Sequence, residues 1–98
     1  MSPPARLSSR EITDALAVLP EWSHVDNALV RNFTFTTFAD GLRFVASVGT
    51  LAEAMNHHPD IDIRFRQVRV RCTTHDVGGV TQLDCALARA CDEQAGER

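Results

Sequence analysis

Residues 61–72 read Ile61-Asp62-Ile63-Arg64-Phe65-Arg66-Gln67-Val68-Arg69-Val70-Arg71-Cys72, and their alternation decides the fold. Ile61, Ile63 and Phe65 alternate with Asp62 and Arg64, while Val68, Val70 and Cys72 alternate with Arg69 and Arg71. Side chains point to opposite faces with a period of two, so each run has one apolar and one charged face. Two half-buried strands this close in sequence predict an antiparallel hairpin, with a tight turn at Arg66-Gln67. That turn lacks Asn-Gly chemistry, so its type stays open.

Upstream of the hairpin, Thr37 with Asp40 marks a capped start, and the spacing predicts a helix over 37–55. Phe38, Leu42, Val45, Gly49 and Ala52 form one stripe on it; Phe44, Val48, Leu51 and Met55 form a second. A surface helix of a monomer needs one apolar stripe. Two stripes fit either a partner subunit on the second side or a wide contact with the domain's own core.

Further back, Ser8 with Glu11 makes a capping box, and Leu7 is placed to staple to Ile12. Ile12, Ala15, Leu16 and Leu19 keep helical spacing until Pro20. A short strand over 22–25 and a second over 29–36 follow, joined through Asp26-Asn27, with Phe33 and Phe35 on one face. Beyond the hairpin, 73–79 reads as a loop with Gly78-Gly79, and Thr81 with Asp84 opens a last helix whose inner face is Leu83, Leu87, Ala90 and Cys91. The expected fold class is α+β: a four-stranded antiparallel sheet with three helices packed on one face, in the order α-β-β-α-β-β-α.

Ninety-eight residues make one domain, taken as 1–98. A net charge of -3 without a basic cluster argues against a nucleic-acid partner. No apolar run is long enough to span a bilayer, and the start MSPPARLSSREI has no apolar core, so no membrane role or secretion is expected. Cys72, Cys85 and Cys91 are odd in number and lack CxxC spacing, which fits reduced thiols in a cytoplasmic protein.

Three of the four histidines fall at two seams of this layout. His57 and His58 end the long helix between Asn56 and Pro59, and His75 lies in the loop after the last strand. The hairpin runs out and back between them, so the two seams are expected to converge on one pocket at the end of the sheet. Glu53 is four residues before His57 and shares its helix face, so it is expected to accept that ring's proton and fix its tautomer. Imidazoles titrate near neutrality and can donate and accept protons around a small molecule. Structural readings stand beside this one. Glu53–His57 fits a surface pair, the adjacent histidines fit a helix end, Asp84 fits a capping partner, and His24 is read as structural. Zinc ligation is the sharper rival, though the His-x₃-His spacing of helical zinc sites is absent.

The run Glu53-Ala54-Met55-Asn56-His57-His58-Pro59-Asp60, then a hairpin, then Thr73-Thr74-His75-Asp76-Val77-Gly78-Gly79-Val80-Thr81 with Asp84, resembles the pterin-4a-carbinolamine dehydratase family. The likeness runs from about Leu7 to the last helix and includes Trp22 and the phenylalanine-rich strand. It implies an enzyme, a hydro-lyase that removes water from 4a-hydroxytetrahydropterin to give quinonoid dihydropterin, in tetrahydrobiopterin recycling. It implies no metal and no cofactor, the pterin being the substrate. Residue by residue, it makes His57 and His75 the acid/base pair and His58 a further catalytic group that holds the pterin. Glu53 and Asp84 become supports, and Asn56, Thr73, Thr74 and Asp76 contacts to the ring.

Ile61 and Phe65-Arg66-Gln67 depart from the family's commonest residues, which bears on rim contacts rather than on the reaction. The family also implies a homodimer or homotetramer, through the 37–55 helix and a sheet edge, and a functional link to an aromatic amino-acid hydroxylase. The alternative it brings is a non-catalytic dimerisation or assembly-factor module of the same fold.

Overall fold

The computed structural model describes residues 4–96, so the ends of the expected 1–98 unit lie outside the described residues. Elements follow the expected order: α1 (Ser9–Ala17), β1 (Ser23–Val25), β2 (Ala28–Thr34), α2 (Phe38–Met55), β3 (Asp60–Arg64), β4 (Gln67–Cys72), a 3₁₀ turn (His75–Val77) and α3 (Gln82–Gly96). The four strands make one antiparallel sheet in the order β1-β2-β4-β3. The β3-β4 hairpin therefore inserts beside β2 through its second strand, and β3 becomes an edge.

The cap of α1 forms as expected: the Ser8 amide donates to Glu11 Oε1 at 2.8 Å and the Glu11 amide to Ser8 Oγ at 3.1 Å. The helix stops at Ala17, earlier than the spacing through Leu19 suggests. The Val18 and Leu19 amides turn back to the Ala15 and Leu16 carbonyls, a tightened last turn that drops Leu19 into the core. Trp22 is buried just before β1, and its indole N–H donates to Asp92 Oδ1 of α3 at 2.8 Å. The β1-β2 turn holds both Asp26 and Asn27 at positive φ, 47° and 65°, which these short polar residues tolerate.

The helix-facing side of the sheet is Leu29 and Phe33 of β2 with Val68, Val70 and Cys72 of β4. Against it pack Ile12, Phe44, Val48, Leu87 and Cys91 from the three helices. Phe44 sits among the aromatics, 4.6 Å from Phe33 and 5.0 Å from Phe35 between ring centroids. Offset contacts of this kind add about 0.5–1.5 kcal/mol beyond area burial. Of the two stripes on α2, the Phe44–Val48 stripe enters the core. Phe38 and Leu42 of the other stripe stay 45% and 42% exposed.

One expectation about the hairpin is corrected. Arg64 pairs with Gln67, so the turn is Phe65-Arg66 rather than Arg66-Gln67. Moving the pairing by two residues keeps Ile61 and Ile63 on the same face as Val68 and Val70, so alternation cannot separate the two registers. The third strand's neighbourhood decides it: the Phe35 amide donates to the Arg66 carbonyl at 2.9 Å. As a result Phe65 takes a positive φ of 52° and leaves the strand face, 70% exposed.

Candidate active site

The C-terminus of α2 turns sharply because Asn56 adopts the left-handed conformation (φ 50°, ψ 42°). The His57 amide donates to the Ala52 carbonyl at 3.1 Å and the Asn56 amide to the Glu53 carbonyl at 3.2 Å. That pair of bonds is a Schellman motif, which satisfies the last carbonyls and aims the next residue inward. His57 accordingly enters the protein and is 9% exposed.

There its Nε2 lies 2.6 Å from Asp84 Oδ1, in the first turn of α3. Asp84 is fully buried. Its second oxygen, Oδ2, accepts from the Thr74 hydroxyl at 2.8 Å and from the Thr81 amide at 2.9 Å. Asp84 therefore caps α3 through Oδ2 and meets His57 through Oδ1. A buried carboxylate needs such donors, because an unpaired charge out of water is costly.

The expected Glu53–His57 pair does not form. Spacing by four holds only while the helix continues, and Asn56 ends it before His57. Glu53 Oε2 instead meets Nε2 of His58 at 2.5 Å, on the surface, with the two side chains 78% and 55% exposed. Glu53 thus pairs with His58, and Asp84 with His57.

The remaining residues separate by environment. His75 and Asp76 are exposed in the 3₁₀ turn, which Gly78 closes at φ 66°. The side chain of His75 makes no hydrogen bond or ion pair among the described residues. It adjoins Thr74, whose hydroxyl rests on Asp84, so the two seams do meet around one carboxylate. Asn56 is exposed beside them. Thr73 is tied elsewhere: it is buried and its hydroxyl donates to the Asn27 carbonyl at 2.7 Å, holding the β1-β2 turn. His24 lies exposed on edge strand β1.

Sequence reading missed the hydroxyl pair Thr74–Thr81, 2.8 Å apart and buried. The Thr81-x-x-Asp84 spacing was visible, but a capping box explained it fully and hid the further link to Thr74. The three cysteines are free, as expected. Burial pushes the Cys91 thiol up to about 12, and raises Cys72 and Cys85 above their ordinary value of 9.0. Nucleophilic use needs the thiolate, so these thiols are packing groups at neutral pH.

Among the described residues, no three His, Cys, Asp or Glu side chains are placed to hold a metal ion. No helix among the described residues is long and apolar enough to cross a membrane.

Comparison with known proteins identifies the family. The family model described as "Pterin 4 alpha carbinolamine dehydratase" matches residues 5–94. A protein of Chloroflexus aggregans named "Putative pterin-4-alpha-carbinolamine dehydratase" is 53% identical over 94% of this chain and 99% of its own. One of the same name from Mycobacteroides abscessus is 45% identical over 94% and 98%. The crystal structure of a transcriptional coactivator/pterin dehydratase from Brucella melitensis superposes with a TM-score of 0.91 at 36% identity, covering 94% of this chain and 100% of that one. A pterin dehydratase-like protein identified as a RuBisCO assembly factor in the alpha-carboxysome shares the fold, with a TM-score of 0.64 at 22% identity over 76% and 87%. With a family model spanning nearly the whole chain and relatives near half identity, the chain belongs to the pterin-4a-carbinolamine dehydratase family.

Proposed function

We propose that this protein is a 4a-hydroxytetrahydropterin dehydratase that works by histidine general acid/base catalysis without metal or cofactor. The observation that carries the reading is the His57–Asp84 pair at 2.6 Å, a histidine oriented by a fully buried carboxylate that also accepts from Thr74, the neighbour of exposed His75. A histidine on a carboxylate is held in one orientation and one tautomer.

In the reaction the C4a–O bond breaks. The departing 4a-hydroxyl takes a proton from one imidazole and leaves as water. The other imidazole removes a ring N–H proton, and that electron pair forms the new double bond of the quinonoid ring. His57 and His75 are the two proton handlers, with His58, backed by Glu53, holding the pterin. Asn56 and Asp76 are exposed at the rim, where a flat heterocycle edged with donors and acceptors needs polar contacts. Tetrahydrobiopterin recycling in the cytoplasm, linked to an aromatic amino-acid hydroxylase, is the setting this chemistry serves.

Chelator-treated protein should accelerate dehydration of synthetic 4a-hydroxytetrahydropterin above the buffer rate, followed by absorbance of the quinonoid product. Folded protein that gives only the buffer rate would overturn the enzyme reading in favour of a binding module.

Self-association is the second part of the proposal. Phe38 and Leu42 on α2, and Ile63 on edge strand β3, are 40–45% exposed, which suits a homo-oligomer formed through the helix and the sheet edge. Light scattering at micromolar concentration should read a dimer or tetramer; a monomer there would refute it.

A further inference from the structure

With Asp84 ionised, the hydrogen-bond chain behind His57 has one consistent set of proton positions. The Leu83 amide donates to Thr81 Oγ1 at 3.2 Å. The Thr74 hydroxyl donates to Asp84 Oδ2, so its single hydrogen is spent there. In the 2.8 Å contact between the two hydroxyls, Thr81 must then donate and Thr74 accept. Each hydroxyl gives once and receives once. The chain thus runs from the Leu83 amide through Thr81 and Thr74 to Asp84. With the Thr81 amide as well, Oδ2 takes two hydrogens, the bonding pattern of a carboxylate anion. An anion can only accept, so the proton of the 2.6 Å bond to His57 belongs to Nε2.

That leaves Nδ1 of His57 as the nitrogen that works. It has no protein partner among the described residues, yet it is not sealed off. Among the described residues the only buried side-chain nitrogen or oxygen without a partner is Nε of Arg31, whose guanidinium pairs with Asp92 of α3.

We infer that Thr74, backed by Thr81, is a positioning residue that holds the Asp84 carboxylate in place, so that neutral His57 is the Nε2–H tautomer and exchanges protons with the pterin through Nδ1. This rests on His57 being a proton handler, and it takes the Thr74 side chain away from the ring contacts that the family resemblance assigns to it.

The test is a long-range ¹H–¹⁵N correlation spectrum of the ¹⁵N-labelled protein at the alkaline end of the His57 titration, paired with steady-state turnover. Wild type should show Nε2 protonated and Nδ1 bare, and Thr74→Ser should keep both that pattern and turnover. Thr74→Val should mix the tautomers and lower kcat about 10- to 100-fold, the scale of a misplaced catalytic group, with KM nearly unchanged. Thr81→Val should fall between Ser and Val at position 74. A wild-type spectrum with Nδ1 protonated overturns the inference outright, even if every variant fails to fold. So does Thr74→Val with an intact tautomer and a raised KM, which would make Thr74 a ligand contact. The spectrum reads the tautomer without any turnover, so failure of the dehydratase reading would show separately, as wild type with the expected tautomer and only the buffer rate.

Discussion

Alanine at both His57 and His75 is expected to remove nearly all dehydratase turnover, and each single change to cost about 10²–10⁴-fold, the usual worth of one general acid or base. The structure makes a specific statement about the double variant. Groups that act as one unit show no further loss once either is gone. His57 is buried on Asp84, whereas His75 is exposed and makes no hydrogen bond or ion pair among the described residues. In the proposed reaction they handle two different protons independently, so the double loss should be far larger than either single one. Turnover of the three variants, measured on protein whose melting matches wild type, decides this. Equal rates for the double and either single variant would mean a shared task instead, and unchanged rates would mean the roles lie elsewhere.

The largest effect on stability is expected at Asp84. Alanine there strips the acceptor from Nε2 of His57, the Thr74 hydroxyl and the Thr81 amide together, all in a region with almost no water contact. Removing one partner from a buried polar network costs more than the net worth of its bonds, because the others stay desolvated and unmet. A loss of about 3–5 kcal/mol follows. For a chain of this length each kcal/mol shifts melting by about 4–8 °C, so the midpoint should drop by at least about 12 °C. Asp84→Asn keeps one acceptor oxygen and should melt between alanine and wild type. With that oxygen kept on Thr74 and Thr81, its amide N–H faces Nε2 of His57 and selects the tautomer with the proton on Nδ1, so turnover should fall far more than stability. Calorimetry with the turnover assay checks both; an alanine variant melting within a few degrees of wild type would show that the network is not structural.

Glu53 shows why part of the site was misread. Four-residue spacing on a helix is a sound rule, and it pointed at His57. The rule lapses at Asn56, where one left-handed residue turns the chain and exchanges which histidine goes inward. Asn56 was recognised as a helix breaker, yet a breaker does not reveal the direction the chain takes afterwards. The hairpin turn was misplaced for a comparable reason, since two registers satisfy the same alternation and only β2 distinguishes them.

What the sequence by itself determined is what local periodicity and local caps determine. The helix and strand order, the capped starts at Ser8 and Thr37, the buried face of the hairpin and the two seams bearing histidines all come from interactions within a few residues. The family's site pattern was legible too, because its residues cluster in two short runs. Only the tertiary structure decided the partners. Asp84 and His57 are 27 residues apart, and Thr74 and Asp84 ten apart, joined by packing of α2, β4 and α3 rather than by any local rule. The opening hairpin brings those elements to one end of the sheet. A hydrogen bond formed there depends on distances of tenths of an ångström that no spacing encodes.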